Sequence, residues 1–61
     1  MLIEEYVIVT YINVPNEIAP IVAIKSVSKP YPYYPRELSI QREIEKADAD
    51  FAQVEKRYRA E

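Results

Sequence analysis

The stretch Tyr6-Val7-Ile8-Val9-Thr10-Tyr11-Ile12 decides the fold, because it is apolar on both faces of the strand that it predicts. Alternate side chains of a strand point to opposite faces. The apolar residues of the two faces are Tyr6, Ile8 and Ile12 on one side and Val7, Val9 and Tyr11 on the other. A strand of this kind needs cover on both sides, and a chain of 61 residues has material for one cover. The stretch therefore predicts a partner, either a second copy of the chain or a larger protein.

The length and the missing residue types also favour a partner. A single domain of 61 residues is close to the size at which one hydrophobic core is marginally stable. Cysteine and histidine are absent, which excludes disulfides and makes a zinc site a poor candidate. Glycine is absent too, so no phosphate-binding loop is expected. We expect no cofactor and a homodimer or higher oligomer; an unusually well-packed monomer is the alternative.

The composition indicates a folded cytoplasmic protein. Apolar residues make up 49% of the chain, which argues against disorder, and the net charge of −2 does not favour a general surface for polyanions. The start of the chain lacks the basic residues of a secretory signal. The apolar run from Tyr6 to Val14 is far shorter than the roughly 20 residues that cross a bilayer, so we expect no membrane partner.

Residues 2–28 predict a β-hairpin. Its expected strands, Leu2–Asn13 and Ile18–Ser28, are rich in β-branched and aromatic residues, and Pro15 and Asn16 suit the turn between them. Pro20 cannot donate a ladder hydrogen bond, which weakens the start of the second strand. Regular alternation in that strand places Val22 and Ile24 on one face and Ile21, Ala23, Lys25 and Val27 on the other.

Residues 29–35 predict a stiff, polyproline-like linker, and residues 35–59 predict one helix. Pro35 suits the first helical position, and the basic residues near the end suit a helix C-terminus. The expected apolar stripe is Ile40, Ile44, Ala47, Phe51, Val54 and Tyr58. This stripe also fits a coiled coil, but a parallel self-pair would bring acids together across its seam. We expect an α+β fold, with a long antiparallel hairpin and one C-terminal helix lying on it, completed by dimerisation.

The linker offers two further interpretations. The run from Lys29 to Pro35 matches the pattern [RK]-x-x-P-x-x-P, which is typical of peptides that SH3 domains bind. The simpler interpretation is a crossing segment whose tyrosines pack on the core. The tyrosines beside Lys25, Lys29 and Arg36 could alternatively stack the bases of a nucleic acid.

Catalysis and metal binding have little support in the sequence. The serines have no evident base, and Asp48 and Asp50, two apart on the expected helix, would point to different faces. Together with Glu43 and Glu55 they would form a solvated acidic face. Mimicry of a phosphate backbone is a weaker alternative, because interspersed basic residues dilute the charge.

The expected function is that of a non-enzymatic protein-binding module, such as a regulator, an inhibitor or an accessory subunit of a larger protein. Its size would suit a viral accessory protein. The expected partner contacts are Tyr6, Ile8, Tyr11, Tyr31, Tyr33 and Tyr34. A nucleic-acid-binding module is the first alternative, and a structural assembly subunit is the second.

Overall fold

The computed structural model describes all residues, 1–61, as one sheet and one helix. The elements are β1 (Leu2–Val14), β2 (Ile21–Val27), α1 (Glu37–Ala47) and β3 (Phe51–Ala60). The strands form a three-stranded antiparallel sheet in the order β2-β1-β3. The predicted α+β class and its antiparallel hairpin are confirmed, but the sheet has a third strand that the sequence did not predict.

The hairpin closes through a longer connection than a four-residue turn. The last ladder pair joins Val14 of β1 to Ile21 of β2, which leaves residues 15–20 in the connection. The side-chain oxygen of Asn16 accepts a hydrogen bond of 2.9 Å from the backbone N–H of Ile18. Asparagine commonly makes such a local turn. Strand β2 begins directly after Pro20, which has no N–H to offer the ladder.

A β-bulge in β2 changes which of its side chains share a face. Thr10 pairs with Ser26 and Tyr11 pairs with Ile24, so Lys25 is the extra residue. The bulge shifts the alternation by one, and Ile24 therefore shares the face of Val27. The prediction that these two residues lie on opposite faces is wrong, because it assumed a regular strand.

The helix predicted over residues 35–59 is wrong in its second half, because α1 ends at Ala47. Asp48 follows in the left-handed conformation, with φ 54° and ψ 47°. Its N–H donates to the carbonyl of Glu45, and the N–H of Ala49 donates to the carbonyl of Ile44. These two bonds satisfy carbonyls that the helix end leaves free, and they are usually built around glycine. Asp48 takes the position that glycine usually fills at the end of a helix, in a chain that has no glycine.

Strand β3 takes the residues that were expected to continue the helix. It pairs with β1 over ten positions, from Leu2 opposite Ala60 to Tyr11 opposite Phe51. Val54 and Tyr58 are four residues apart, a spacing that places two side chains on one face of either a helix or a strand. The long free edge of β1 decides between the two, because a strand there pairs over ten positions and satisfies the backbone groups of alternate residues of β1. The edge of β1 therefore needs no partner chain.

The segment 29–35 is not one straight spacer. Tyr31 exchanges two backbone hydrogen bonds with Tyr6, of 2.9 and 2.7 Å, and so extends the ladder beyond β2. The chain then bends at Pro32 and Tyr33, and Pro35 is buried two residues before α1 begins. The segment joins the strand to the helix while packing on the sheet.

The helix lies over the face of the sheet that carries Tyr6 and Thr10. The Tyr6 ring meets the edge of the Tyr34 ring, with centroids 5.6 Å apart. Ser26, whose hydroxyl lies 2.6 Å from that of Thr10, lines a cavity together with Ala47 of α1. We call this the helix-covered face, and we call the opposite face, with Val7, Val9 and Tyr11, the open face.

The core consists of four consecutive residues of β1, Val7–Thr10, none of which is more than 2% exposed. Ile8 and Thr10 belong to the helix-covered face, whereas Val7 and Val9 belong to the open face. Val7 lies opposite Glu55 of β3, and Val9 lies between strands β3 and β2. Val7 and Val9 are therefore buried on the face that α1 does not cover.

Candidate binding surfaces

An apolar patch occupies the open face beside the buried valines. Val22, Ile24 and Val27 of β2 are 51%, 64% and 47% exposed. Their partners in β1 are Asn13, Tyr11 and Val9, which places all three on the open face. Tyr11 and Phe51 continue the patch towards β3. We call these five residues (Tyr11, Val22, Ile24, Val27 and Phe51) the open-face patch.

The centre of the open-face patch is a stacked aromatic pair. The rings of Tyr11 and Phe51 have centroids 5.1 Å apart and lie within 17° of parallel. Asp50 fixes the backbone beside them, since its N–H donates to the Tyr11 carbonyl and its carboxylate accepts the N–H of Asn13. The two rings therefore present a preorganised apolar surface at the point where β3 joins β1.

A polar groove lies between α1 and the chain around the end of β2, from Ser26 to Tyr31. Two adjoining cavities, of about 400 and 290 Å³, form it. Lys29, Glu43 and Lys46 line both cavities. Tyr31 and Arg42 line the second. We call these five residues the basic groove.

The six residues expected to contact a partner do not form one surface. Ile8 is fully buried and offers no side-chain surface. Tyr11 belongs to the open-face patch, whereas Tyr6 packs against Tyr34 on the helix-covered face. The other two, Tyr31 and Tyr33, form an edge-to-face pair with centroids 6.3 Å apart near the basic groove.

The exposed apolar residues of β2 were missed as contacts, although alternation grouped Val22 with Ile24. Val27 could have joined them only if the bulge at Lys25 had been foreseen. No local signal marks this bulge, because lysine is an ordinary residue in a strand. The hydroxyls of Thr10 and Ser26 favour it indirectly by fixing the pairing on one side of the bulge.

The SH3-type pattern is not presented as a free polyproline helix. Tyr31 is tied to Tyr6 by backbone hydrogen bonds, and Pro35, the second proline of the pattern, is buried. An aromatic groove of another protein would need both prolines of the pattern exposed on one ridge.

The cations proposed for nucleic-acid binding are also dispersed. Of Lys25, Lys29 and Arg36, only Lys29 lines the basic groove. Lys25 is the extra residue of the bulge, and Arg36 precedes the helix.

The acidic residues have separate structural roles. Asp48 ends α1, Asp50 joins β3 to β1, and Glu55 forms an ion pair with Arg57 at 3.3 Å. No group of three or more His, Cys, Asp or Glu side chains is placed to hold a metal ion. The helix is neither long enough nor apolar enough to cross a membrane.

The edge formed by β3 is charged and internally paired. Lys56 binds Glu4 and Arg59 binds Glu5, each with a nitrogen–oxygen distance of 2.7 Å. The hydrogen bond to Glu4, together with the charge of that carboxylate, raises the pKa of Lys56 above its ordinary value. These basic residues link two strands and do not serve as the end of a helix.

In comparisons with known proteins, no family model, no curated protein and no solved structure matches this chain.

Proposed function

We propose that the chain is a non-enzymatic protein-binding module that acts through the open-face patch, first with a second copy of itself. The observation that carries the proposal is the half-exposed row of Val22, Ile24 and Val27 beside the stacked rings of Tyr11 and Phe51. Contiguous exposed apolar surface of this kind is typical of a site that another protein covers. A regulator, an inhibitor or an accessory subunit would use such a surface.

The small core supports a second copy as the first partner. Only five of the 61 residues are buried, and four of them are consecutive in β1. Burial this limited leaves little free energy to offset the ordering of the chain, and association is the usual remedy in small domains. Two copies that met through their open faces would each cover the apolar side chains of the other's β2.

The outer edge of β2 gives a second contact to the same partner. The strand has one charged residue, Lys25, in seven, and it ends the sheet with unpaired backbone groups. Lys25 and its bulge protect one point of this edge, and the uncharged residues before them, Ile21–Ile24, are the part that could accept another strand. The expected interface therefore includes both the face and the edge of β2.

Sedimentation equilibrium of two matched variants tests the proposal. Ile24→Glu places a carboxylate in the open-face patch, and Leu38→Glu makes the same change at an equally exposed position of α1, since the two residues are 64% and 62% exposed. Burying an unpaired polar group costs about 2 kcal/mol or more, and a dimer would bury two such carboxylates, so Ile24→Glu should weaken self-association about a thousandfold. Leu38→Glu should leave it unchanged.

A monomeric parent chain at every concentration, or an equal loss in both variants, would contradict self-association through this patch. Val22→Glu serves as a second patch variant if Ile24→Glu lowers the helix and sheet content in circular dichroism. Long polymers of the parent chain would favour the structural assembly subunit. Binding to a larger protein and location in the cytoplasm stay predictions.

A further inference from the structure

The basic groove concentrates positive charge in a chain whose net charge is −2. Lys29, Arg42 and Lys46 face a groove in which Glu43 is the one acid. The three ion pairs of the molecule all involve β3, and none includes a cation of the groove. Glu43 therefore offsets only part of the charge of the three cations, and an anion in the groove would offset the rest.

The walls of the groove also supply hydroxyl groups. Ser39 and Tyr31 line the end that holds Arg42. Ser28 lines the end nearer β2, but its hydroxyl already donates to the carbonyl of Lys29 at 2.9 Å. In proteins, phosphate oxygens accept hydrogen bonds from hydroxyl, ammonium and guanidinium groups. A cavity of about 400 Å³ at one end has room for a phosphate with a substituent attached.

We propose that the basic groove binds a phosphate-bearing anion, held between Lys29 and Lys46, with Arg42 at the outer end. The Lys29 and Lys46 side chains belong to both cavities, so the charge of the ligand lies where the cavities join. The site does not rest on the proposed function, because none of the groove cations belongs to the open-face patch, although Val27 lines both that patch and one cavity of the groove.

An aromatic pair beside the groove bears on the source of the phosphate. Tyr33 contacts Tyr31 edge to face and is 60% exposed, so its ring is available to stack a base. The phosphate could belong to a small molecule or to a single-stranded nucleic acid, whose bases stack on exposed tyrosines. The chemistry of the groove is the same for both sources.

Calorimetric titration with pyrophosphate, and separately with a single-stranded oligonucleotide, tests the proposal. The groove variant is Lys29→Gln with Lys46→Gln. Its control, Lys25→Gln with Arg36→Gln, removes the same charge from outside the groove. Each charge at close range in water changes affinity about fivefold, so the groove variant should lose about twenty-fivefold and the control much less. Glu43→Gln removes the one acid and should tighten binding about fivefold.

Saturable pyrophosphate binding with a Kd of about 1 mM or tighter, weakened only by the groove variant, supports the site. Tighter binding of the oligonucleotide, lost on Tyr33→Ala, supports it and assigns the phosphate to a nucleic acid. No saturable binding of either probe, or equal losses in the groove variant and its control, would overturn it. Weaker binding by Glu43→Gln would also count against it, whether or not the double variant folds.

Discussion

The two edge strands flank the same central strand, yet they differ in nearly every property. Strand β3 pairs with β1 over ten positions and is tied to it by two ion pairs. Strand β2 pairs over six positions, contains a bulge and exposes about half of Ile21, Val22 and Val27. Strand β3 is rich in charge, which opposes the addition of a further strand, whereas β2 has only Lys25 and its bulge to oppose it. Strand β3 therefore completes the fold, whereas β2 is the side through which we propose that a partner binds.

The largest expected effect comes from breaking the ladder between β3 and β1. The N–H of Glu61 donates to the carbonyl of Met1, and the alternation of an antiparallel pair then directs the N–H of Glu55 to the carbonyl of Val7. Glu55→Pro removes this donor and leaves a carbonyl of the buried core unpaired. The cost of about 1–3 kcal/mol is a large part of the stability of so small a domain, and urea unfolding should show it.

The matched control for this change is Lys56→Pro. The N–H of Lys56 points to the outer edge of β3, where proline is tolerated. The control should be clearly more stable than Glu55→Pro. Equal midpoints of unfolding for the two variants would mean that β3 does not hold the sheet together.

A smaller effect is expected at the attachment of β2. The hydroxyls of Thr10 and Ser26 lie 2.6 Å apart, and Thr10 is fully buried. Ser26→Ala leaves the Thr10 hydroxyl with a single weak bond of 3.3 Å, to the Ser26 carbonyl, and should cost about 1 kcal/mol in thermal or urea unfolding.

The double variant Thr10→Val with Ser26→Ala checks the cause of that loss. Replacing both hydroxyls with apolar groups leaves no unpaired side chain, so it should recover much of the stability lost by Ser26→Ala alone. If the double variant is less stable than the single one, the hydroxyl pair is not what holds β2 in register.

The smallest effect concerns the charged edge of β3. The pKa of Lys56 is raised in the folded chain by its hydrogen bond to Glu4, so the pair stabilises the fold at neutral pH. This contribution is lost as the pH rises above the ordinary lysine value of 10.5 and through the raised value. Lys56→Gln should therefore melt slightly earlier than the parent at pH 7 and at nearly the same temperature once lysine is deprotonated. A difference that stays constant across this range would exclude the ion pair as its origin.

The candidate surfaces were predicted less well than the hairpin. Tyr6 and Tyr11 were both expected as partner contacts, but they differ by five positions in a strand, so alternation already placed them on opposite faces. Burial of Ile8 follows from its place at the centre of the sheet. The basic groove combines residues of α1 with Lys29 and Tyr31. Sequence spacing does not show how close these residues lie in the folded chain.

By itself, the sequence determined that residues 6–12 form a strand, because β-branched and aromatic side chains make up the whole run, with Thr10 as the one β-branched residue that is polar. It also determined the hairpin and the helix through Ala47, where the apolar spacing is regular. Only the tertiary structure decided the state of residues 51–60. Val54 and Tyr58 suit a helix and a strand equally, and the free edge of β1 settled the choice because pairing there satisfies backbone groups along ten residues.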